Sequence, residues 1–361
     1  MRNVKTALSV GLILCASFAV LWTQRAVCFP QLYPQILGSL PYALTSVAVS
    51  PNGQLTAVCG GDYFPGRGEV RVWNAHKGNR VQTLPLTLAN PWSLAFSPDS
   101  RFLAVGTAFP EGTVRLWDMQ TDQQRVLIAG NPASSMDDLA FSPDGHVLAV
   151  NGIGTLALYS VTDGKLLWKR TDRSSDGDVL AFSPDGKTLV CAAHADLVKD
   201  PTAVYPIPKF VHGEAQILDA QTGRLVADFP NPTNVLTQAA AFSPDGRSFA
   251  VGSDKMSGGG ILGSVLTLYT LSDNHAQWTR HISNGMTALC FAPDGHTLVA
   301  EEGREALASW NVQNGTSLAQ ISGHQTSWSD TSDVLAFAPN GQTLAHRQGK
   351  EVQVWKAQSL R

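Results

Sequence analysis

Charge is scarce in this sequence. Lys, Arg, Asp and Glu make up 15% of 361 residues, and the formal net charge is −3. No long basic run occurs, which excludes the electrostatic footprint of a DNA- or RNA-binding chain. Paired cysteines are missing as well. Cys15, Cys28, Cys59, Cys191 and Cys290 form no CxxC, so a zinc or redox motif is absent. Catalytic signatures are lacking too. There is no Gly-x-Ser-x-Gly elbow, no His-Glu-x-x-His, no P-loop and no dinucleotide fingerprint. Gly258-Gly259-Gly260 has neither the Lys nor the helix that a phosphate cradle needs, and reads as a flexible tip. His194 and His212 flank a long loop and read as a solvated pair rather than a metal site. No cofactor is implied. Apolar residues, at 43%, are not scarce, which argues for a folded globular chain.

Seven copies of one turn organise the chain. Phe141-Ser142-Pro143-Asp144-Gly145 is one of them. The others span 49–53, 96–100, 182–186, 242–246, 291–295 and 337–341. The prolines are spaced by 47, 45, 41, 60, 49 and 46 residues, a period that marks a repeat architecture. Proline presets φ at the first corner. Asp or Asn bonds back to nearby backbone, and Gly accepts positive φ. Ser100 replaces Gly in the second copy. Alternating apolar runs flank each turn, as a β-hairpin requires.

The N-terminus is a separate object. Arg2 and Lys5 precede a run without charge from Thr6 to Gln24, and Arg25 follows. Residues 1–29 therefore read as a signal peptide or an uncleaved hydrophobic membrane-anchor helix. Either one places the rest of the chain outside the cytoplasm, secreted or held at a membrane. Ser17-Phe18-Ala19 offers a cleavage pattern but lies inside the apolar run, and Leu14 before Cys15 fits lipidation poorly.

From Pro30 onward each repeat contains four strand-like pieces. In the third repeat they are Asp137–Phe141, Val147–Val150, Thr155–Tyr159 and Lys165–Trp168. The third strand usually ends in an aromatic: Trp73, Trp117, Tyr159, Tyr269, Trp310 and Trp355, with Leu218 the exception. Four short antiparallel strands about every 45 residues make a β-propeller blade. The expected fold is all-β: a seven-bladed propeller over residues 30–361.

These repeats resemble WD repeats of a form common in bacterial propellers. The Phe-Ser-Pro-Asp-Gly turn and the third strands Val70–Trp73 and Val114–Trp117 carry the likeness. Trp117-Asp118 is the one literal Trp-Asp pair, and Gly323-His324 the one Gly-His pair outside the repeated turns. The resemblance spans about Gln31 to Trp355. The structural Asp of the family is mostly missing, which points to apolar packing between blades in place of a buried His–Asp network. The last repeat supplies only three strands, ending at Trp355. Gln35-Ile36-Leu37-Gly38-Ser39-Leu40 is expected to complete it, as the ends clasp in similar propellers.

Functional information in a repeat protein lies in its departures from the repeat. The loop between the second and third strands varies most, at 60–68, 106–112, 191–213 and 252–263. These loops leave one face. They carry Tyr63, Phe64 and Arg67, then Tyr205, Lys209, Phe210 and His212, then Met256 and Ile261. Aromatics with Arg suit an interface, and this face is the candidate surface for a protein or peptide partner. The bland reading is that the longest loop folds back over its own blade. A second set lies five residues before the Ser or Ala of each turn: Thr45, Trp92, Asp137, Asp178, Gln238, Thr287 and Asp333. These are expected near the mouth of the central channel, where Asp138 and Asp176 add acid. Oxygen ligands there could hold Ca²⁺, as in lactonase-like propeller hydrolases. Carboxylates that only cap turns are the simpler account. The sequence thus reads as a monomeric, non-catalytic scaffold, with an extracytoplasmic, cation-dependent propeller enzyme as the alternative.

Overall fold

The computed structural model describes residues 35–62, 67–84, 90–108, 110–130, 136–152, 155–171, 179–192, 214–230, 235–257, 260–302, 306–321, 335–338, 343–348 and 350–356. The expected N-terminal helix lies outside them. Among the described residues no helix is long and apolar enough to cross a membrane. The described elements are β-strands, arranged as seven four-stranded antiparallel sheets.

Six sheets are each built from four consecutive strands. The seventh joins both ends of the chain. Its order runs from Gln35–Ser39 through Glu351–Lys356 and Thr343–Gln348 to Leu335–Phe337. Gln35 pairs with Val354 and Ser39 with Glu351. The expected clasp is therefore present, and it covers an edge that would otherwise stay open. Blades are numbered here in chain order, from blade 1 (Leu44–Leu84) to the clasped blade 7.

The repeated turn is held by local polar chemistry. In blade 3 the Ser142 hydroxyl donates to Asp144 Oδ1 at 2.5 Å and accepts from the Val147 amide at 2.9 Å. Asp144 also accepts from the His146 amide at 3.0 Å. Ser142 is the main reason the Asp144 carboxyl sits below its ordinary range, and Ser183 and Ser243 hold Asp185 and Asp245 down in the same way. Gly145 has φ +74°, a region costly for residues with a Cβ. Ser100 adopts φ +62° in its copy, and its hydroxyl accepts the Asn52 amide of the neighbouring turn at 3.1 Å. Neighbouring turns also touch. A Cβ on Gly186 would meet Pro143 at 3.4 Å, and one on Gly246 would meet Pro184 at 3.6 Å.

Seven apolar clusters hold the blades together, and each spans a blade junction. Between blades 1 and 2, Val70, Val72 and Leu84 pack with Leu94, Leu103 and Trp117. Between blades 4 and 5, Ile217 and Phe229 meet Phe249, whose ring lies 5.5 Å from that of Phe229. At the clasp, Leu37, Leu40 and Val354 pack with Val47, Val58 and Trp73. Burying each such side chain is worth about 1.5–3 kcal/mol, so apolar area carries the ring. The aromatic at the end of the third strand serves these junctions: Trp73, Trp117, Trp310 and Trp355 are all buried.

The cysteines behave as small apolar residues. Cys59, Cys191 and Cys290 form no disulfide among the described residues, and the first two are fully buried. Burial pushes the Cys59 and Cys290 thiols up to about 12. These three cysteines are therefore expected to react with a thiol reagent at pH 8 only after denaturation. Rapid native labelling at Cys59 or Cys191, read by peptide mass mapping, would contradict this packing.

Candidate partner-binding face

The innermost strand of each blade lines the channel, and five of them share one irregularity. Register shifts fall between Leu44 and Ser46, Pro91 and Ser93, Met136 and Asp138, Thr237 and Ala239, and Met286 and Ala288. The skipped residues are Thr45, Trp92, Asp137, Gln238 and Thr287. These are the described members of the set expected at the channel mouth. A β-bulge takes its extra residue out of the ladder and re-aims its side chain. The sequence spacing picks out these residues by count, and the bulge they occupy follows from ladder register. Trp92, Asp137 and Gln238 are each half-buried there. Asp178 and Asp333 lie outside the described residues.

The channel itself is narrow. A cavity of about 170 Å³ is lined by Val47, Leu94, Leu180, Ala239, Leu289 and Leu335, among others. Asp138 reaches it, with both carboxylate oxygens engaged. Oδ1 accepts the Leu139 amide at 2.7 Å and Oδ2 accepts the Leu180 amide of blade 4 at 2.8 Å. Among the described residues no three His, Cys, Asp or Glu side chains converge as metal ligands. The cation-dependent enzyme therefore draws no support from them. Asp138 instead bridges two blades.

Similar polar links cross other junctions. Thr45 Oγ1 donates to the Pro91 carbonyl at 2.9 Å, and Ser93 Oγ donates to the Met136 carbonyl at 2.7 Å. Close approach matters here, since a Cβ on Gly106 would stand 2.3 Å from Ser93 Oγ. Blade 6 carries a buried acidic end. Glu301 Oε1 lies 3.6 Å from His346 Nε2 of blade 7, and burial pushes the adjacent Glu302 carboxyl up. Sequence reading missed this pair, because nothing in the repeat pattern marks a buried Glu.

The largest departure among the described residues is in blade 5. Residues 252–263 are expected from the sequence to form a glycine-rich loop. Instead, the strands Ser248–Ser257 and Gly260–Thr270 run on, and only residues 258–259 separate them. The reason is a polar anchor at the base of the extension. Asp254 is buried; its carboxylate accepts from the Ser264 hydroxyl and, at 2.9 Å, from the Met286 amide of blade 6. Ser264 Oγ also lies 2.8 Å from the Asn284 carbonyl. Met256 pairs with Ile261 near the tip. Ile261 is 53% exposed and Leu262 70%, the latter the most exposed large apolar side chain among the described residues. This finger projects from the face opposite the Pro-Asp-Gly turns. Arg67 stands exposed at the start of a blade 1 strand on that same face. Tyr63, Phe64, Tyr205, Lys209, Phe210 and His212 lie outside the described residues.

Comparison with known proteins fits this architecture. Residues 68–118 match the family model described as "WD domain, G-beta repeat". That stretch runs from the third strand of blade 1 to the third strand of blade 2 and ends on Trp117-Asp118. That one stretch of the ring thus matches a WD repeat. The Asp of this literal Trp-Asp pair caps its own turn: Oδ1 accepts the Gln120 amide at 2.9 Å, and Oδ2 accepts Arg101 Nη2 at 2.7 Å. The bond from Arg101 is the main reason its carboxyl sits below its ordinary range. Curated relatives are eukaryotic. Eukaryotic translation initiation factor 3 subunit I of Pyricularia oryzae is 31% identical over 161 residues, 44% of this chain and 42% of the relative. The protein of the same name from Neurospora crassa is 28% identical over 202 residues, 55% of this chain and 53% of the relative. A WD repeat-containing protein of Schistosoma mansoni is 31% identical over 136 residues, 37% of this chain and 41% of the relative. The chain thus spans about half, or less, of these relatives. Repeats of this family generally serve as non-catalytic platforms for protein partners.

Proposed function

We propose that this WD-repeat propeller is a non-catalytic scaffold. It engages a protein or peptide partner on the face opposite the Pro-Asp-Gly turns, with the blade 5 finger as an anchor. One observation carries the reading. A buried, hydrogen-bonded base holds two adjacent apolar side chains, Ile261 and Leu262, out in solvent. A pre-ordered apolar tip loses little entropy on binding and offers area that water disfavours. Two relatives are named as a subunit of a larger factor, which agrees with a role in assembly. In this reading the propeller is a monomer outside the cytoplasm, exported or anchored through residues 1–29. The support for that location is the uncharged run from Thr6 to Gln24, with Arg2 and Lys5 before it.

The test is retention of partners by the immobilised chain. The double substitution Ile261→Asp and Leu262→Asp is expected to cut retention more than tenfold while leaving the melting temperature unchanged. A control pair on the outer rim, Val81→Asp and Val126→Asp, is expected to retain partners normally. Equal retention by the finger variant and the wild type would reject the finger as an anchor.

A further inference from the structure

The outer strands hold a second pattern. In blade 3, Trp168 Nε1 donates to the Ala220 carbonyl in the outer turn of blade 4 at 2.9 Å, and Arg170 donates to the Gly223 carbonyl at 3.3 Å. Blade 5 repeats the arrangement on blade 6. Trp278 Nε1 donates to the Val312 carbonyl at 2.7 Å, and Arg280 Nε to the Gly315 carbonyl at 2.7 Å. The guanidinium of Arg280 also lies over the Trp278 ring at 5.5 Å. A Trp-x-Arg on one blade thus clamps the outer turn of the next.

Blade 4 lacks the clamp. Ladder register places Ala227, paired with Ile217, where Trp168 pairs with Leu158 and Trp278 with Leu268. Phe229 takes the place of the Arg and is buried in the junction. The counterpart carbonyls in blade 5 belong to Leu271 and Asn274. Among the described residues no side chain donates to the Leu271 carbonyl. Blade 2 fills the same position with Arg125, which donates to the Val161 carbonyl, and blade 1 with Gln82, which donates to Asp122. Between blades 4 and 5 a groove of about 620 Å³ remains, lined by Ile217, Val226, Ala227 and Leu271. Val226 is 58% exposed on its wall. The groove between blades 3 and 4 is of similar size, about 680 Å³, but Trp168 lines it with its ring nitrogen already satisfied. Two carboxylates, Asp185 and Asp245, edge the open groove; Lys187 Nζ lies 3.6 Å from Asp185 Oδ2.

We propose that this groove is a second docking site, which takes an extended partner segment carrying Trp-x-Arg. The aromatic ring covers Ala227 and Val226 and donates to the Leu271 carbonyl, and the cation meets the acidic edge. The segment would reproduce, in trans, the clamp that blades 3 and 5 make in cis. One difference favours a free segment over a tethered one. The clamped turns carry Gly223 and Gly315, where a Cβ would meet the Trp ring at 3.0 and 2.7 Å, whereas the open turn carries Asn274. A partner ring is able to shift by the few tenths of an ångström that this Cβ requires. The site is independent of the blade 5 finger and does not rest on it.

The experiment uses the full chain with methyl-labelled Ala, Val and Leu. The probes are the capped pentapeptide copying Gln277–His281 and its counterpart with Ala in place of Trp. The Trp peptide is expected to give saturable shifts at Ala227, Val226 and Leu271, at least tenfold stronger than the Ala peptide. The double substitution Ala227→Trp and Asn274→Gly installs the clamp, and is expected to raise the melting temperature and abolish binding. Val226→Asp, on an exposed wall, is expected to weaken binding at unchanged stability, which covers the case in which the double variant folds poorly. No saturable shift up to 5 mM peptide would overturn the proposal. Equal binding of the two peptides, or undiminished binding by the clamped or Val226→Asp variant, would do the same.

Discussion

Deleting Gln35–Ser39 is expected to abolish the cooperative native transition, or to lower its midpoint by on the order of 10 °C or more. The strand closes blade 7 against Glu351–Lys356, and its neighbour Leu40 donates its amide to the Lys350 carbonyl at 3.1 Å. Leu37 and Leu40 are 7% and 2% exposed. Truncating one buried Leu costs about 2–5 kcal/mol, so losing Leu37 with its strand consumes much of a typical stability of about 5–15 kcal/mol. The deletion also uncovers Trp73, against which the Gly38 backbone lies so closely that a Cβ would stand 3.1 Å from the ring. Leu37→Ala is the milder form, expected to cost about 3 kcal/mol in urea unfolding. An unchanged melting curve for the deletion would contradict closure by the N-terminal strand.

Asp254→Ala is expected to be the most damaging single change of a polar residue in blade 5. Asp254 is 2% exposed, and its carboxylate serves the Met286 amide and the Ser264 hydroxyl. Removing it strands the buried Met286 amide, at a cost of about 1–3 kcal/mol, and leaves the Ser264 hydroxyl only the Asn284 carbonyl. A total loss near 3 kcal/mol is expected, with faster hydrogen exchange at the Met286 amide. Because the carboxylate ties the finger to blade 6, partner retention is expected to fall as well, even below the unfolding midpoint. Asp254→Asn keeps one acceptor oxygen and is expected to fall between wild type and Ala. A change under about 0.5 kcal/mol for Asp254→Ala would mean that the link carries no load.

The ring was legible because its signals are local and repeated. Each Pro-Asp-Gly turn reports its own hairpin, and seven copies fix the period. Even the clasp could be read, since one repeat was short by a strand and a suitable strand lay at the other end. The finger was misread because Gly258-Gly259-Gly260 dominates its appearance. What makes it a hairpin is Asp254, whose partners Ser264 and Met286 lie ten and 32 residues away. Long-range hydrogen bonds leave no period in a sequence. The positions five residues before each turn's Ser or Ala are defined by counting, while their bulges depend on ladder register. The missing clamp was readable in principle. Arg125, Trp168, Ala227 and Trp278 align by ladder register, but only the structure shows that the Arg125, Trp168 and Trp278 side chains reach across to the next blade.

The central claim is that the blade 5 finger, on the irregular face, meets the partner of the proposed scaffold. Site-specific photocrosslinking tests it most directly, with a benzophenone side chain placed at Leu262 or at Lys77, which is exposed on an outer turn of blade 1. Irradiation in the native extract is expected to give a discrete adduct of one partner from position 262 and none from position 77. An adduct from position 77 alone, or the same adducts from both, would contradict the account.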